Sequence, residues 1–281
     1  MAKGATEFID ISSADIYQEE VWSQKVTIAR MKKLVWANSV DRSYESELKR
    51  GEILRIGTIT HPTATAKAEN TALTYETVSE NEKTITINTF YYTAIAIEDI
   101  LVPQVSIDLF DKYIPGLGYG LGLQEDSDIS KLIDDPIFDA SHVVGTLGTG
   151  LTHTNLLRAD QYLNDADVPD DDRVIIISPA ERANLLELDQ FVHKDYSELR
   201  NGLIGSWLQY PILVSTNCNG TNAAGHDSVM MHRDGIAHIA QIKPIVKGFW
   251  DIDYMAAKMA ALTTYGTTGR RTDHGVWLRG A

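Results

Sequence analysis

The sequence predicts an α+β fold, and three stretches carry the prediction. "EILRIGTIT" at 52–60 and "EKTITINTF" at 82–90 alternate apolar with polar residues and are rich in Ile and Thr, the period-two pattern of strands. "RVIIISPAERANLLEL" at 173–188 passes from a continuous apolar run through Ser178, a natural N-cap, into a helix with Pro179 in its first turn. Between these regions, residues 104–133 carry apolar residues near helical spacing.

Taken in order, residues 1–49 read as an N-terminal arm that starts polar and acidic. Within it Val21, Trp22, Val26, Ile28, Met31, Leu34, Val35 and Trp36 are spaced for some helix or for an arm laid on another surface. Residues 50–92 read as a long β-ribbon with a loose tip in "HPTATAKAEN" and a further short strand in "TALTYETV". A two-stranded ribbon is marginal in water by itself. It needs a surface to lie on, and the expected surface is another copy of the chain.

In 104–133, Val105, Leu109 and Ile114 recur near helical spacing, and Pro115 is expected to interrupt the helix. The helix is then expected over about 117–133, despite Gly118, Gly120 and Gly122. Each glycine inside a helix costs about 1 kcal/mol relative to alanine, a cost tolerable where backbones approach closely. Residues 134–154 read as loop, 155–165 as a helix capped by Thr154 or Asn155, and 210–216 as a second apolar strand. "DSVMMHR" at 227–233 and "IAHIAQI" at 236–242 read as strands joined in a hairpin by Asp234-Gly235. Short strand-like pieces follow to the end.

Lysine and arginine number 25 against 39 acids, a net charge of −14. That excludes a general basic surface for gripping phosphates. An acidic protein can still enclose nucleic acid without gripping it. The single Cys218 excludes a disulfide framework or cysteine-rich zinc site within one chain. No signal-peptide core and no apolar run of membrane-spanning length is found, so no membrane association is expected.

Each catalytic or ligand motif fails on a specific residue. "GTLGTG" at 145–150 has phosphate-loop glycines, but Leu151 stands where the lysine is required. "GLGYGLG" at 116–122 lacks the third glycine of a dinucleotide loop and follows no strand. "NDADVPDDD" at 164–172 is broken by Pro169 and has no turn glycine, so a calcium loop gives way to a solvated turn. His232 and His238 would face each other across the expected hairpin, a weak case for a metal pair. No G-x-S-x-G elbow exists. Accordingly no catalytic, cofactor-binding or metal residue is assigned, and the chain is read as a non-enzyme.

The order of features is more specific than any motif. "VIIISPAERANLLEL" at 174–188, "NGLIGSWLQYPILVST" at 201–216, "YYTAIAIEDI" at 91–100 and Tyr265-Gly266 together resemble the major capsid proteins of tailed bacteriophages, with the HK97-type shell fold. The resemblance spans about residues 20–279 and rests on order and texture. It implies an N-terminal arm at 1–49, and an extended loop at 50–92 that overlies a neighbouring subunit. A peripheral domain with a long spine helix would cover 93–140, an axial domain 141–235, and a second peripheral part 236–281. It further implies self-assembly into hexamers and pentamers of an icosahedral shell around double-stranded DNA, with a scaffolding protein and a portal as partners. The place would be the virion, after assembly in the host cytoplasm.

Expected subunit-interface residues are Thr63, Lys67, Glu69, Tyr75, Gly118, Gly120, Gly122, His193, Lys194 and Trp250. Some capsids of this type form lysine–asparagine crosslinks; Lys67 and Lys83 lie in the ribbon, but nothing identifies a partner, and no crosslink is expected from the sequence. The alternatives are an encapsulin-like nanocompartment shell and an α/β enzyme built on 173–188.

Overall fold

The computed structural model describes residues 31, 34–59, 62–75, 80–100, 109–133, 137–188 and 206–281. The strands are β1 (Ile53–Ile59), β2 (Glu80–Thr86), β3 (Thr89–Glu98), β4 (Val143–Gly145), β5 (Arg173–Ile177), β6 (Ser206–Trp207), β7 (Tyr210–Val214), β8 (Gly220–Thr221), β9 (Gly225–His232), β10 (Ile236–Asp251), β11 (Ala256–Gly269) and β12 (Gly275–Arg279). The helices are α1 (Leu109–Lys131), α2 (His153–Asp165) and α3 (Pro179–Glu187).

The larger sheet has seven strands in the order β4-β12-β9-β5-β7-β6, with β8 added to β9. Its centre is β5, buried along its whole length. Ile175 and Ile177 point into a core shared with Leu156, Leu163 and Leu185 of α2 and α3. Val174 and Ile176 point the other way, into a core with Ile129 of α1, Ile133 just past its end, and Trp36 and Val40. A strand covered on both faces has no polar side to alternate with, which is why its sequence is continuously apolar. Ser178 accepts from the Glu181 amide at 3.1 Å and starts α3 as expected.

A second sheet has the order β10-β11-β3. The early turns of α1 pack on one of its faces, where Leu117 and Leu121 meet Met259, Ala261, Ile95 and Val246. Helix α1 therefore touches both sheets, with its early turns on one and its last turns on the other. The ribbon is β1 paired with β2, from Ile53↔Thr86 to Ile59↔Glu80. Its base is anchored where Leu54, Ile56, Ile85 and Ile87 pack against Leu48, Ala237 and Ile239.

Several expectations are corrected. Asp234-Gly235 does not make a hairpin. Strand β9 already has β5 and β12 on its two sides, so β10 has no edge to join and pairs with β11 instead. The His232 ring accepts from the Asp234 amide, and a 3-10 turn at Arg233–Gly235 carries the chain from one sheet to the other. His232 and His238 thus fall in different sheets, and among the described residues no cluster of three metal-ligating side chains forms.

Pro115 does not interrupt α1. It is exposed, and the packing of Leu117 and Leu121 outweighs the one lost backbone bond. The cap of α2 is Thr152, two residues before the expected pair; its hydroxyl accepts from Asn155 N at 3.3 Å. The stretch 82–90 is split, because β2 ends at Thr86 and β3 begins at Thr89 in another sheet. Of "TALTYETV", the described residues 71–75 form no strand.

The loop expected at 134–154 contains β4. The last strand, β12, sits between β4 and β9, so part of the 236–281 return lies in the larger sheet. Residues 1–30 lie outside the described residues, while Val35, Trp36, Ala37 and Val40 are core rather than arm.

Candidate assembly surfaces

The ribbon tip places four of the expected interface residues within one short stretch. Every residue from 62 to 75 is exposed, Tyr75 at 88%. Thr63, Lys67 and Tyr75 line a concavity of about 490 Å³ formed by the tip alone, and Glu69 lies beside it. Beyond Ile56 none of the described ribbon residues is buried until Ile85 on the way back. Extended backbone with exposed Leu73 and Tyr75 offers apolar contact and main-chain hydrogen bonding.

Opposite α1, the β10-β11-β3 sheet carries a second surface. Strand register sets Tyr92, Leu262 and Ile245 in one row across the three strands, with Ala94, Ala260 and Lys247 in the next and Ala96, Lys258 and Phe249 after that. Phe90, Tyr92, Ile245 and Phe249 are all exposed. The same sheet ends in a second apolar cluster of Ile100, Trp250, Ile252, Tyr254 and Met255. Trp250 donates its indole N–H to Asp99 at 2.7 Å and stays 52% exposed.

Of these residues the sequence reading picked Trp250 only. A signal existed in "TFYYTAIAIE", which is apolar at both parities although a helix covers only one of its faces.

The α1 glycines differ in what they touch. A Cβ on Gly122 would lie 2.7 Å from Leu34 Cδ1, and one on Gly120 would lie 3.4 Å from Thr93 Cγ2. One on Gly118 would meet nothing within 4 Å. The two close approaches are therefore made to the chain's own Leu34 and β3. His193 and Lys194 lie outside the described residues.

One acidic stretch of α1 joins the pieces that present these surfaces. Asp126 Oδ1 accepts from the amides of Val35, Trp36 and Ala37 at 3.1, 2.7 and 3.3 Å, and its Oδ2 accepts from Asn217 at 2.9 Å. Burial nonetheless raises its carboxyl above the ordinary range. Glu125 Oε1 lies 2.9 Å from His238 Nε2 on β10. Asp128 accepts from the Tyr265 hydroxyl on β11 at 2.8 Å, and burial, then that carboxylate, pushes the phenol upward.

The α/β unit holds a cleft of about 490 Å³ lined by Asp170, Asp171, Asp172, Arg173, Tyr210 and Arg233 among others. Arg173 is fully committed within it. Its guanidinium reaches Asp160 at 3.0 Å, Asn164 at 2.8 Å, the Tyr210 hydroxyl at 3.0 Å and Asp170 at 3.0 Å, and also bonds the carbonyl of Val168. Burial, and then Asp160, push the Tyr210 phenol up to about 12. Cys218 is buried, and its thiol is pushed up to about 12, chiefly by burial. A committed guanidinium, a neutral phenol and a neutral thiol supply no nucleophile or general base near neutral pH.

The sequence pattern of a family described as phage capsid protein matches residues 29–271. No curated protein matches the chain. Among solved structures, one from Mycobacterium phage Che8 is similar at 23% identity and a TM-score of 0.79, over 94% of this chain and 97% of that one. The capsid structure of the cyanophage P-SCSP1u is 15% identical, with a TM-score of 0.78, over 96% of this chain and 94% of that one. The asymmetric unit of the mature capsid of bacteriophage PhiM1 is 14% identical, with a TM-score of 0.71, over 99% of this chain and 94% of that one.

Proposed function

Because the chain belongs to the phage capsid protein family and carries the HK97-type shell fold, we propose that it builds the hexamers and pentamers of an icosahedral shell that encloses double-stranded DNA. Its role is structural rather than enzymatic. The observation that carries the assembly reading is a pair of exposed surfaces. A tip of fourteen exposed residues, 62–75, ends a ribbon packed at its base, and an aromatic-rich sheet face is exposed opposite α1. Monomeric proteins rarely leave apolar patches beyond a few hundred Å² in water. A tip and a face that differ in shape give a heterologous contact, which closes into rings or shells according to the rotation between copies.

On this reading Thr63, Lys67, Glu69 and Tyr75 lie on a neighbouring copy, and Trp250 with its apolar neighbours meets another. The net charge of −14 suits a wall that confines DNA without gripping it. A scaffolding protein and a portal are the further partners, and the host cytoplasm is the place of assembly.

Deleting residues 61–72 tests the reading. The variant is expected to keep the subunit's thermal unfolding, because every described residue of the tip is exposed, and to lose closed particles in electron microscopy. Normal particles from the deletion variant would remove the ribbon from assembly. A full-length chain that stays monomeric at high concentration, with and without scaffold, would defeat the shell reading itself.

A further inference from the structure

The two edges of the β10-β11-β3 sheet are built differently. The β10 edge is blunted. It carries Pro244 between Lys243 and Ile245, register shifts at Ala240/Ile242 and Ile242/Ile245, and a further charge at Lys247. Proline, lysine and bulges are the ordinary devices that stop an edge from recruiting another strand. The β3 edge has none of them. It pairs with β11 without a register shift from Thr89↔Tyr265 to Glu98↔Ala256, and it holds no proline and no charge before Glu98. No described strand lies on its outer side. A ten-residue strand leaves about 34 Å of backbone whose every second N–H and C=O points outward.

We propose that β3 is a docking edge, and that residues 71–75 from the ribbon tip of a second copy pair with it as an added strand. The occupant follows from its chemistry. "TALTY" is β-prone, lies in no strand, and sets exposed Leu73 and Tyr75 two residues apart, on one face of an extended chain. That face meets Phe90 and Tyr92, so aromatic cross-strand contacts add to the main-chain ladder. The seven residues of β1 carry the tip about 23 Å from the base, far enough to reach another copy. The inference rests on the shell reading and specifies where the ribbon lands.

The test uses assembled particles and free subunits of the full chain. Hydrogen exchange over 89–98 is expected to slow by about tenfold or more on assembly, as outward amides acquire partners. Leu73→Cys is then combined in turn with Tyr92→Cys, Ala94→Cys and Ala96→Cys. Oxidised particles should give a disulfide dimer most strongly for one of the three, the in-register pair, and none with Phe249→Cys near the β10 edge. Cys218 is buried and stays silent.

Particles whose β3 amides exchange as fast as in free subunits would overturn the proposal while leaving the shell reading intact. Protected amides with no crosslink to position 73 would overturn the ribbon tip as occupant, in favour of another segment. A chain that forms no particles under any condition removes the shell reading, and the inference with it.

Discussion

Replacing Asp126 by alanine should cost the folded subunit about 3 kcal/mol, a figure that can be worked from its contacts. The amides of Val35, Trp36 and Ala37 open a 3-10 turn at Trp36–Asn38 and take the Asp126 carboxylate as acceptor. The first N–H groups of such a turn have no partner within it. A buried N–H left unpaired costs roughly 1–3 kcal/mol. The bonds to Trp36 at 2.7 Å and Val35 at 3.1 Å carry most of the effect, and the 3.3 Å contact to Ala37 adds little.

Together these losses come to roughly 2–6 kcal/mol. Against them stands the buried charge, whose desolvation raises the carboxyl and is relieved when the group is removed. The net of about 3 kcal/mol corresponds to a fall of roughly 5–10 °C in Tm for a chain of this size. Asp126→Asn should cost about a third as much, because its oxygen still serves the three amides and Asn217 can turn its own carbonyl toward the new NH₂. The assay is denaturant unfolding of unassembled subunits followed by tryptophan fluorescence, with the fully buried Trp36 as reporter. The reasoning fails if alanine costs under about 0.5 kcal/mol, or if asparagine costs as much as alanine.

Two further outcomes are expected. Burial holds the His274 imidazole below its ordinary 6.5, so the unfolded chain binds the proton more readily. Stability from this group is therefore present above pH 6.5 and is lost as pH falls below it, with a slope no steeper than about 1.4 kcal/mol per pH unit. His274→Gln should flatten that part of the stability–pH curve. Leu208 and Gln209 form the two-residue loop between β6 and β7 with φ of 47° and 72°, values that suit Asn-Gly. Leu208→Asn with Gln209→Gly should stabilise the subunit by about 1 kcal/mol in thermal unfolding, since Leu208 is exposed and gives up little packing.

Elements specified by neighbouring residues were legible from sequence; those specified by distant partners were not. β5, Ser178 and α3 follow one another within fifteen residues, and each signal is local. The ribbon was legible for the same reason, since its strands alternate. Asp234-Gly235 misled because a hairpin dipeptide says nothing about whether the strands beside it are already paired elsewhere, and β9 is paired on both sides. Pro115 misled because its cost is local while the packing that offsets it comes from β11.

The sequence reading assigned no role to the acidic stretch of α1. Its partners are 91 residues back at Val35, 91 forward at Asn217 and 137 forward at Tyr265, and no single-sequence spacing encodes them. Ahead of β7, the turn falls at Leu208 and Gln209, between β6 and β7.

The placement of buried and unburied apolar groups separates folding from assembly within one chain. Leu117 and Leu121 fix α1 to one sheet, Ile129 fixes it to the other, and the carboxylates of Asp126 and Asp128 tie residues 35–37, Asn217 and β11 to the same helix. A body held at so many points deforms little, because close-packed interiors transmit strain rather than absorb it. The ribbon has the opposite character, with a packed base and, beyond it, described residues that are exposed. If one sequence is to occupy both five-fold and six-fold rings, the change in angle has to be taken up where no core is disturbed. That condition selects the ribbon beyond Ile56 and excludes α1. It also explains why substitutions at Leu73 or Tyr75 should alter assembly without moving the unfolding midpoint, while substitutions at Ile85 should move the midpoint first.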